Sequence, residues 1–441
     1  MNILKKILSP SCLIISVFLL LYTFYKSEIV WNGEESDYYL IYYIVSTILI
    51  IFSIFTFFLN QKIKEYLIIS LISIVVGLYI FEGYLTFYNY NYNYKIHLYE
   101  KETGRKYDTR TKVEIYEDIK KINNKVKLSI APSHYLLSIR YSKENYKIFP
   151  LSGISNSKTI LCNENGYFSI YESDRYGFNN PDKEWDQKEI EYLLVGDSFS
   201  QGYCVNRPNN IASVLRTLSN KTVLNLGYGG NSLLIEYATL REYLNSNVKK
   251  VLWIYSEGTD LIGLVEELKI KILKNYLDDL TFTQNLKIKQ KEIDDLANKM
   301  LEKDYNEMVR VKNNFTIKLT EFIKIFNTRQ LFKVIPQPEP QPQPEFKKIL
   351  ELIKDLTYQN NSKLYFIYLP EYTRYKKNYN FSYQSIKKIV NELDIPFIDI
   401  HSEVFENEQN PLKLFPFELP GHYTVEGYRK IAETVYQFTK D

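Results

Sequence analysis

The chain has 441 residues, enough for one large domain with additional segments. Its 55 basic and 52 acidic side chains leave a net charge of +3, so no strong field points to nucleic acid as a partner. There is no HExxH, no paired Cys-x-x-Cys and no Gly-rich phosphate loop, so no metal and no nucleotide cofactor is expected. The 40 tyrosines follow from a biased genome as readily as from function.

The first 94 residues read as a membrane region. Three uncharged or nearly uncharged runs, at about 7–25, 38–59 and 66–88, each approach the ~20 residues that span a bilayer core. Only Glu82, close to the end of the third, interrupts them with a charge. The first run is long and no small-residue cleavage site follows it, which favours an uncleaved span over a signal peptide. Lys5 and Lys6 precede the first span, and Lys62 and Lys64 lie between the second and third. The intervening loop carries Glu28, Glu34, Glu35 and Asp37 against Lys26. The positive-inside rule then places the N-terminus in the cytoplasm and everything after the third span on the extracytoplasmic side. Tyr84, Tyr88, Tyr90, Tyr92 and Tyr94 cluster where that span is expected to leave the bilayer.

Residues 95–190 read as a lead-in or accessory segment. It is polar and poorly periodic, with a candidate helix over Val113–Val126 and turn signals at Ser152-Gly153, Asn165-Gly166 and Asn179-Asn180-Pro181. Asp174 to Phe178 is either a cleft lining or a packed turn. His134 is expected to be structural.

From 191 to 441 short apolar runs alternate with longer amphipathic ones. The strand candidates are Tyr192–Val195, Thr222–Leu226, Val251–Tyr255, Lys363–Leu369 and Phe397–Ile400, and a last helix is expected over Val425–Phe438. This alternation predicts an α/β domain in three layers, a parallel sheet with helices on both faces. A helical insertion at about 261–335 and a Pro-rich linker at 336–345 break it. Alternating proline favours an extended rod and cannot enter a sheet. The expectation is an insertion over or beside the cleft, with the proline run as its exposed return.

Gly196-Asp197-Ser198 follows the first strand candidate and precedes a helical pattern, so its serine sits at a sharp turn where a nucleophile is accessible. Asn225 to Asn231 follows the second strand and Tyr255 to Asp260 the third; Gly421-His422 stands ahead of the last helix. Ligands of open α/β sheets lie at the carboxyl ends of the strands, so the turns bearing Ser198, Gly230 and Thr259 are expected to converge. Of the four histidines, His97 lies close to the membrane, His134 in the lead-in and His401 after the fifth strand. His422 alone is in a glycine-flanked turn suited to reach the strand ends.

These four blocks, in this order, resemble the SGNH/GDSL hydrolases, serine esterases and acyl-transfer enzymes. The resemblance runs from about Tyr192 to the C-terminus. It implies Ser198 as nucleophile, His422 as base, and an oxyanion hole from Ser198, Gly230 and the position held here by Thr259, where the family has asparagine. The family's Asp three residues before the histidine is replaced by Leu419. Glu418, Asp399 or a backbone carbonyl is left to orient the imidazole. Asp260 is expected to be structural, because an acceptor-only carboxylate would repel an oxyanion.

The expected activity is that of a membrane-anchored serine esterase acting on O-acyl groups, acetyl among them, of an extracytoplasmic glycan or a small ester. An SGNH-type O-acyltransferase using the same pair, assisted by a membrane partner protein, is the alternative; a binding module without turnover is a third. Cys12 lies inside the first span. Cys162 and Cys204 are expected to form a disulfide on the oxidising side, against the reading of two separate buried thiols.

Overall fold

The computed structural model describes residues 2–30, 33, 36–87, 90–142, 146–332, 341–377 and 382–440. They divide into two units, Met1–Tyr90 with Phe315–Ile335, and Asn91–Asn314 with Pro336–Asp441. Glu34, Glu35, Tyr88 and the first half of the proline run, Pro336 to Pro340, lie outside the described residues.

In the first unit α1 (Asn2–Phe24), α2 (Ser36–Thr56) and α3 (Gln61–Phe87) are long and apolar enough to cross a membrane. Each starts before its apolar stretch because helical hydrogen bonding extends into the polar flank, and α2 ends at Thr56, short of the expected Leu59; α1 passes into a π-helix over Tyr25–Val30. The Ser16 and Ser53 hydroxyls meet at 2.9 Å between α1 and α2. Such a contact matters where helices have no hydrophobic drive to associate. Lys5 pairs with Glu65. Two shorter helices, α4 (Phe315–Ile323) and α5 (Phe326–Phe332), belong to this unit. The expected insertion is therefore not one body: its last part lies with the three long apolar helices rather than with the parallel sheet.

The second unit is built on a five-stranded parallel sheet. Its strands are β4 (Ile190–Gly196), β5 (Val223–Asn225), β6 (Val248–Ser256), β7 (Lys363–Leu369) and β8 (Phe397–Asp399), in the order β5-β4-β6-β7-β8. Side chains alternate across a strand, and each face is covered by helices, so both sets of side chains must be apolar. Leu193 and Val195 of β4, Val251, Trp253 and Tyr255 of β6, and Phe366 and Tyr368 of β7 enter one core. Tyr192 and Leu194, Leu252 and Ile254, and Tyr365 and Ile367 enter the other. The chain passes from β4 to β5 on one side and then to β6 on the other. This reversal opens a crevice beyond the carboxyl end of β4.

The lead-in has a small sheet of its own, β1 (Val126–Leu128), β2 (Lys158–Ile160) and β3 (Ile170–Glu172), with β1 and β2 parallel and β2 and β3 antiparallel. The helix expected over Val113–Val126 covers Lys112–Lys120, opened by a Thr111/Glu114 capping box, and the chain then becomes β1. The insertion helix Gln290–Asn313 joins the lead-in through Lys127 to Asn298 (2.7 Å), Tyr305 to Glu117 (2.8 Å) and Lys312 to Glu114 (2.9 Å).

Asp174 to Phe178 is a packed turn. The fully buried Asp174 carboxylate accepts the N–H groups of Tyr176 and Phe178, both at 2.9 Å, and the Trp185 indole at 2.7 Å. Burial lifts this carboxyl to about 6, against the pull of those donors. Gly177 sits at φ +85°, and a Cβ there would lie 2.1 Å from the Gly153 carbonyl oxygen. Gly177→Ala should therefore destabilise the protein by on the order of 3 kcal/mol, from left-handed strain and the backbone clash together. Thermal unfolding in detergent reads this, and an unchanged Tm would contradict it.

Candidate active site

Gly196 ends β4, and Asp197 caps the short helix Ser198–Gln201, its carboxylate accepting the Phe199 N–H at 2.8 Å. Ser198 thereby opens a helical turn at the crevice. Gly202 closes that turn at φ +81°, where a Cβ would meet Asn210 at 2.2 Å, so no other residue fits without a shift. The loop after β5 is tied to this turn by Asn225, whose side chain donates to the Ser200 carbonyl (2.7 Å) and accepts the Gly227 N–H (2.9 Å). Gly229 N–H donates to Gln201 at 2.8 Å.

His422 lies just before the last helix, Val425–Thr439. Its Nε2 is 2.8 Å from Ser198 Oγ. Its Nδ1 is 3.1 Å from both carboxylate oxygens of Glu164, and its own N–H donates to Glu164 Oε2 at 2.7 Å. The Phe199 and Tyr203 rings each pack with their centroids 4.6 Å from that of the imidazole. With Nδ1 donating to the carboxylate, Nε2 is left to accept the serine proton, the tautomer that base catalysis requires. Burial works to raise the Glu164 carboxyl, but the hydrogen bonds and charge of His422 outweigh it and hold the group below the usual range.

Glu164 is the residue that the sequence reasoning missed. Asp399 is engaged elsewhere: its carboxylate accepts the Tyr383 hydroxyl, Lys387 at 3.1 Å and the Ser402 N–H at 3.3 Å. Glu418 offers its backbone carbonyl to the Tyr372 hydroxyl at 3.0 Å, and the position three before the histidine remains Leu419. Neither Asp399 nor Glu418 contacts the imidazole, because the lead-in has placed Glu164 there first. Two features seat it. Cys162, two residues earlier, is joined by a disulfide to Cys204, six residues after Ser198. Gly421 leaves room, since a Cβ on it would come within 2.9 Å of Glu164 Oε2. Glu164, Cys204 and His422 lie within 4.8 Å of one another, a spacing suited to a metal. The Cys204 sulfur is already bonded to Cys162, so it has no thiolate to offer.

Gly230 is at φ +75°, and a Cβ there would meet Ser133 Oγ of the lead-in at 2.4 Å. Thr259 follows β6, but its hydroxyl is directed to the Ser256 carbonyl (3.3 Å) and to Asp197 (3.5 Å). Asp260 accepts the Ser256 N–H at 2.8 Å and is fully buried, a structural arrangement. Asn231, next to Gly230, is buried with neither amide atom paired among the described residues. A cleft of about 400 Å³ lies beside Tyr203 and Gly229, lined also by Ser129, His134, Asp304 and Met308. His134, expected to be structural, accepts the Ala131 N–H on Nδ1 at 2.9 Å and presents Nε2 3.7 Å from Asp304 at this cleft.

No protein-family model matches the chain, and no curated protein does. Among solved structures it is similar to a putative lipolytic protein of the G-D-S-L family from Desulfitobacterium hafniense (13% identity, TM-score 0.32, 56% of this chain and 99% of that one). It is also similar to an acetyl xylan esterase (12%, 0.31, 56% and 99%) and to a protein from Lactobacillus plantarum (10%, 0.30, 57% and 97%).

Glu164→Gln should lower kcat on p-nitrophenyl acetate about 10²–10⁴-fold, since the imidazole loses its orienting anion. Ser198→Ala and His422→Ala should each fall to near background, with the double variant no worse than either. The Glu164 carboxyl also links stability to pH. Its folded value is depressed below the ordinary 4.5, so its contribution is present above that value and is lost as pH falls through the folded one. Glu164→Gln should remove that acid-side loss in pH-dependent unfolding. Thr259→Ala, by contrast, should cost less than about tenfold in kcat, well short of the ~100–1,000-fold of a lost oxyanion donor.

Proposed function

We propose that the chain is a membrane-anchored serine esterase that removes O-acyl groups, acetyl among them, from an extracytoplasmic glycan. The observation that carries the reading is the continuous path Ser198 Oγ–His422–Glu164 at the carboxyl end of a parallel sheet. Ser198 Oγ attacks the ester carbonyl while His422 Nε2 takes its proton, and Glu164 stabilises the imidazolium. The oxyanion faces the Ser198 and Gly230 N–H groups. The intermediate collapses by breaking the bond to the alcohol oxygen, which receives the proton from His422. Water then repeats the sequence on the acyl-serine, returning the acid and the free hydroxyl.

The glycan part is supported by the cleft beside Tyr203, which offers hydroxyl, imidazole and carboxylate groups of the kind that hydrogen-bond sugar hydroxyls. The side of the membrane is supported by Lys5, Lys6, Lys62 and Lys64 flanking the spans.

The test is labelling of the detergent-solubilised protein with a fluorophosphonate probe, followed by turnover of p-nitrophenyl acetate. Labelling and turnover that both disappear in Ser198→Ala are expected. An unlabelled, inactive wild-type protein would overturn the esterase reading in favour of a binding module, and a rate that rises with added sugar would favour transfer. Protease added to intact spheroplasts should cut beyond Tyr94 and spare an N-terminal tag; the reverse pattern would overturn the topology.

A further inference from the structure

The helices α4 and α5 carry the clearest unexplained feature of the molecule. They lie in sequence between the insertion helix and the proline run, yet they pack on α3. Glu82, the one carboxylate within the apolar stretch of α3, is fully buried. It accepts the Asn327 N–H at 3.0 Å, the Thr328 N–H at 2.8 Å and the Thr328 hydroxyl at 2.7 Å. A carboxylate over the first turn of a helix satisfies donors that have no intrahelical acceptor. Nearby the Tyr79 hydroxyl donates to the Ile323 carbonyl at 2.9 Å, and the Phe322 ring packs on Tyr79 with centroids 5.7 Å apart. Tyr79, Glu82 and Thr86 all lie in the C-terminal third of α3, so α4 and α5 sit along the part of that span nearest its end.

One stripe of their surface is apolar and open. Phe315, Leu319 and Ile323 stand at i, i+4 and i+8 on one face of α4, and are 76%, 42% and 56% exposed; Leu331 of α5 is 60% exposed. Lys318, Lys324 and Arg329 are exposed as well, against a single partly buried acid, Glu321. Apolar residues along one face with basic residues beside it make an interfacial helix, and such a helix is stable where apolar chains meet anionic headgroups.

We infer that α4 and α5 form a re-entrant membrane segment. It lies in the headgroup–acyl boundary at the C-terminal end of α3, with Phe315, Leu319, Ile323 and Leu331 in lipid and the basic side chains at the headgroups. The occupant of its exposed face is the bilayer, because the face is continuous with helices that are themselves fit to span it. The chain thus enters the membrane unit a second time from within the second unit, at Asn314–Phe315. The insertion helix whose Asp304 and Met308 line the cleft ends at Asn313, two residues before this segment starts, so the two are consecutive in the chain. The inference stands whether or not the esterase reading does.

The test uses the full chain in phosphatidylcholine–phosphatidylglycerol liposomes. In a Cys12→Ser background, spin labels are placed singly at Leu319→Cys and, as an aqueous reference, at Ile288→Cys in the other unit, where Ile288 is 86% exposed. The Leu319 label should collide freely with oxygen and be several-fold less accessible than the reference to a water-soluble nickel chelate. Equal nickel accessibility would overturn the proposal by placing the segment in water. Protection from both reagents would overturn it equally, by showing protein, such as a second copy, over that face. Glu82→Ala in the same background should raise nickel accessibility at Leu319 towards the reference; no change there would remove Glu82 as the anchor of the segment.

Discussion

An imidazole can serve a serine only if its far nitrogen is held in one protonation state, and here that constraint falls on a residue from outside the sheet domain. Glu164 accepts both the ring N–H and the backbone N–H of His422, so one carboxylate sets the tautomer and the position of the loop together. Its own backbone has no strand to fix it. The Cys162–Cys204 disulfide supplies the fixation, joining the chain beside Glu164 to the chain just beyond the nucleophile turn. A closed loop of this length removes roughly 4 kcal/mol of chain entropy from the unfolded state in the polymer model. Its more specific effect is local, since it leaves Glu164 little freedom to leave the imidazole.

This makes the lead-in a working part of the site. Ser133 stands where any side chain at position 230 would have to go, and Ser129 and His134 line the cleft beside Tyr203. The buried Asp174 turn closes the lead-in over the sheet, reaching the loop after β5 through Asn180, which accepts the Asn225 N–H at 2.8 Å. The same Asn225 holds the Ser200 carbonyl. A displacement of the lead-in would therefore be felt at the turn bearing Ser198 through hydrogen bonds of normal length.

The sheet was legible because its strands are buried on both faces, which forces continuous apolar runs; Lys363–Leu369 matches β7 end to end. Ser198 and His422 were legible because their local turns demand glycine and a helix start nearby. Glu164 was not, because nothing local marks a carboxylate in an irregular segment as a partner for a histidine 258 residues away. The signal lay in the cysteines: placing Cys162 against Cys204 already brings Glu164 to the nucleophile turn. Thr259 was legible in place but not in the direction of its hydroxyl. It occupies the expected position after β6, but a hydroxyl on a short stem satisfies itself on the nearest acceptors, the Ser256 carbonyl and Asp197, where a longer amide would reach past them.

Glu82 and Glu164 follow one physical rule. A carboxylate withdrawn from water is tolerated only where donors surround it; Glu82 is fully buried and Glu164 partly so, and in each case those donors come from a chain segment far away in sequence. Removing the donors from either acid would leave its charge without the hydrogen bonds that offset the lost hydration. Each contact therefore ties two distant segments together: Glu82 the return of the insertion to the third span, Glu164 the lead-in to the loop before the last helix. An isolated carboxylate in an apolar span is thus informative in itself, because the cost of burying it alone requires a partner that the rest of the chain must provide, whereas one in a polar, irregular segment carries no such mark.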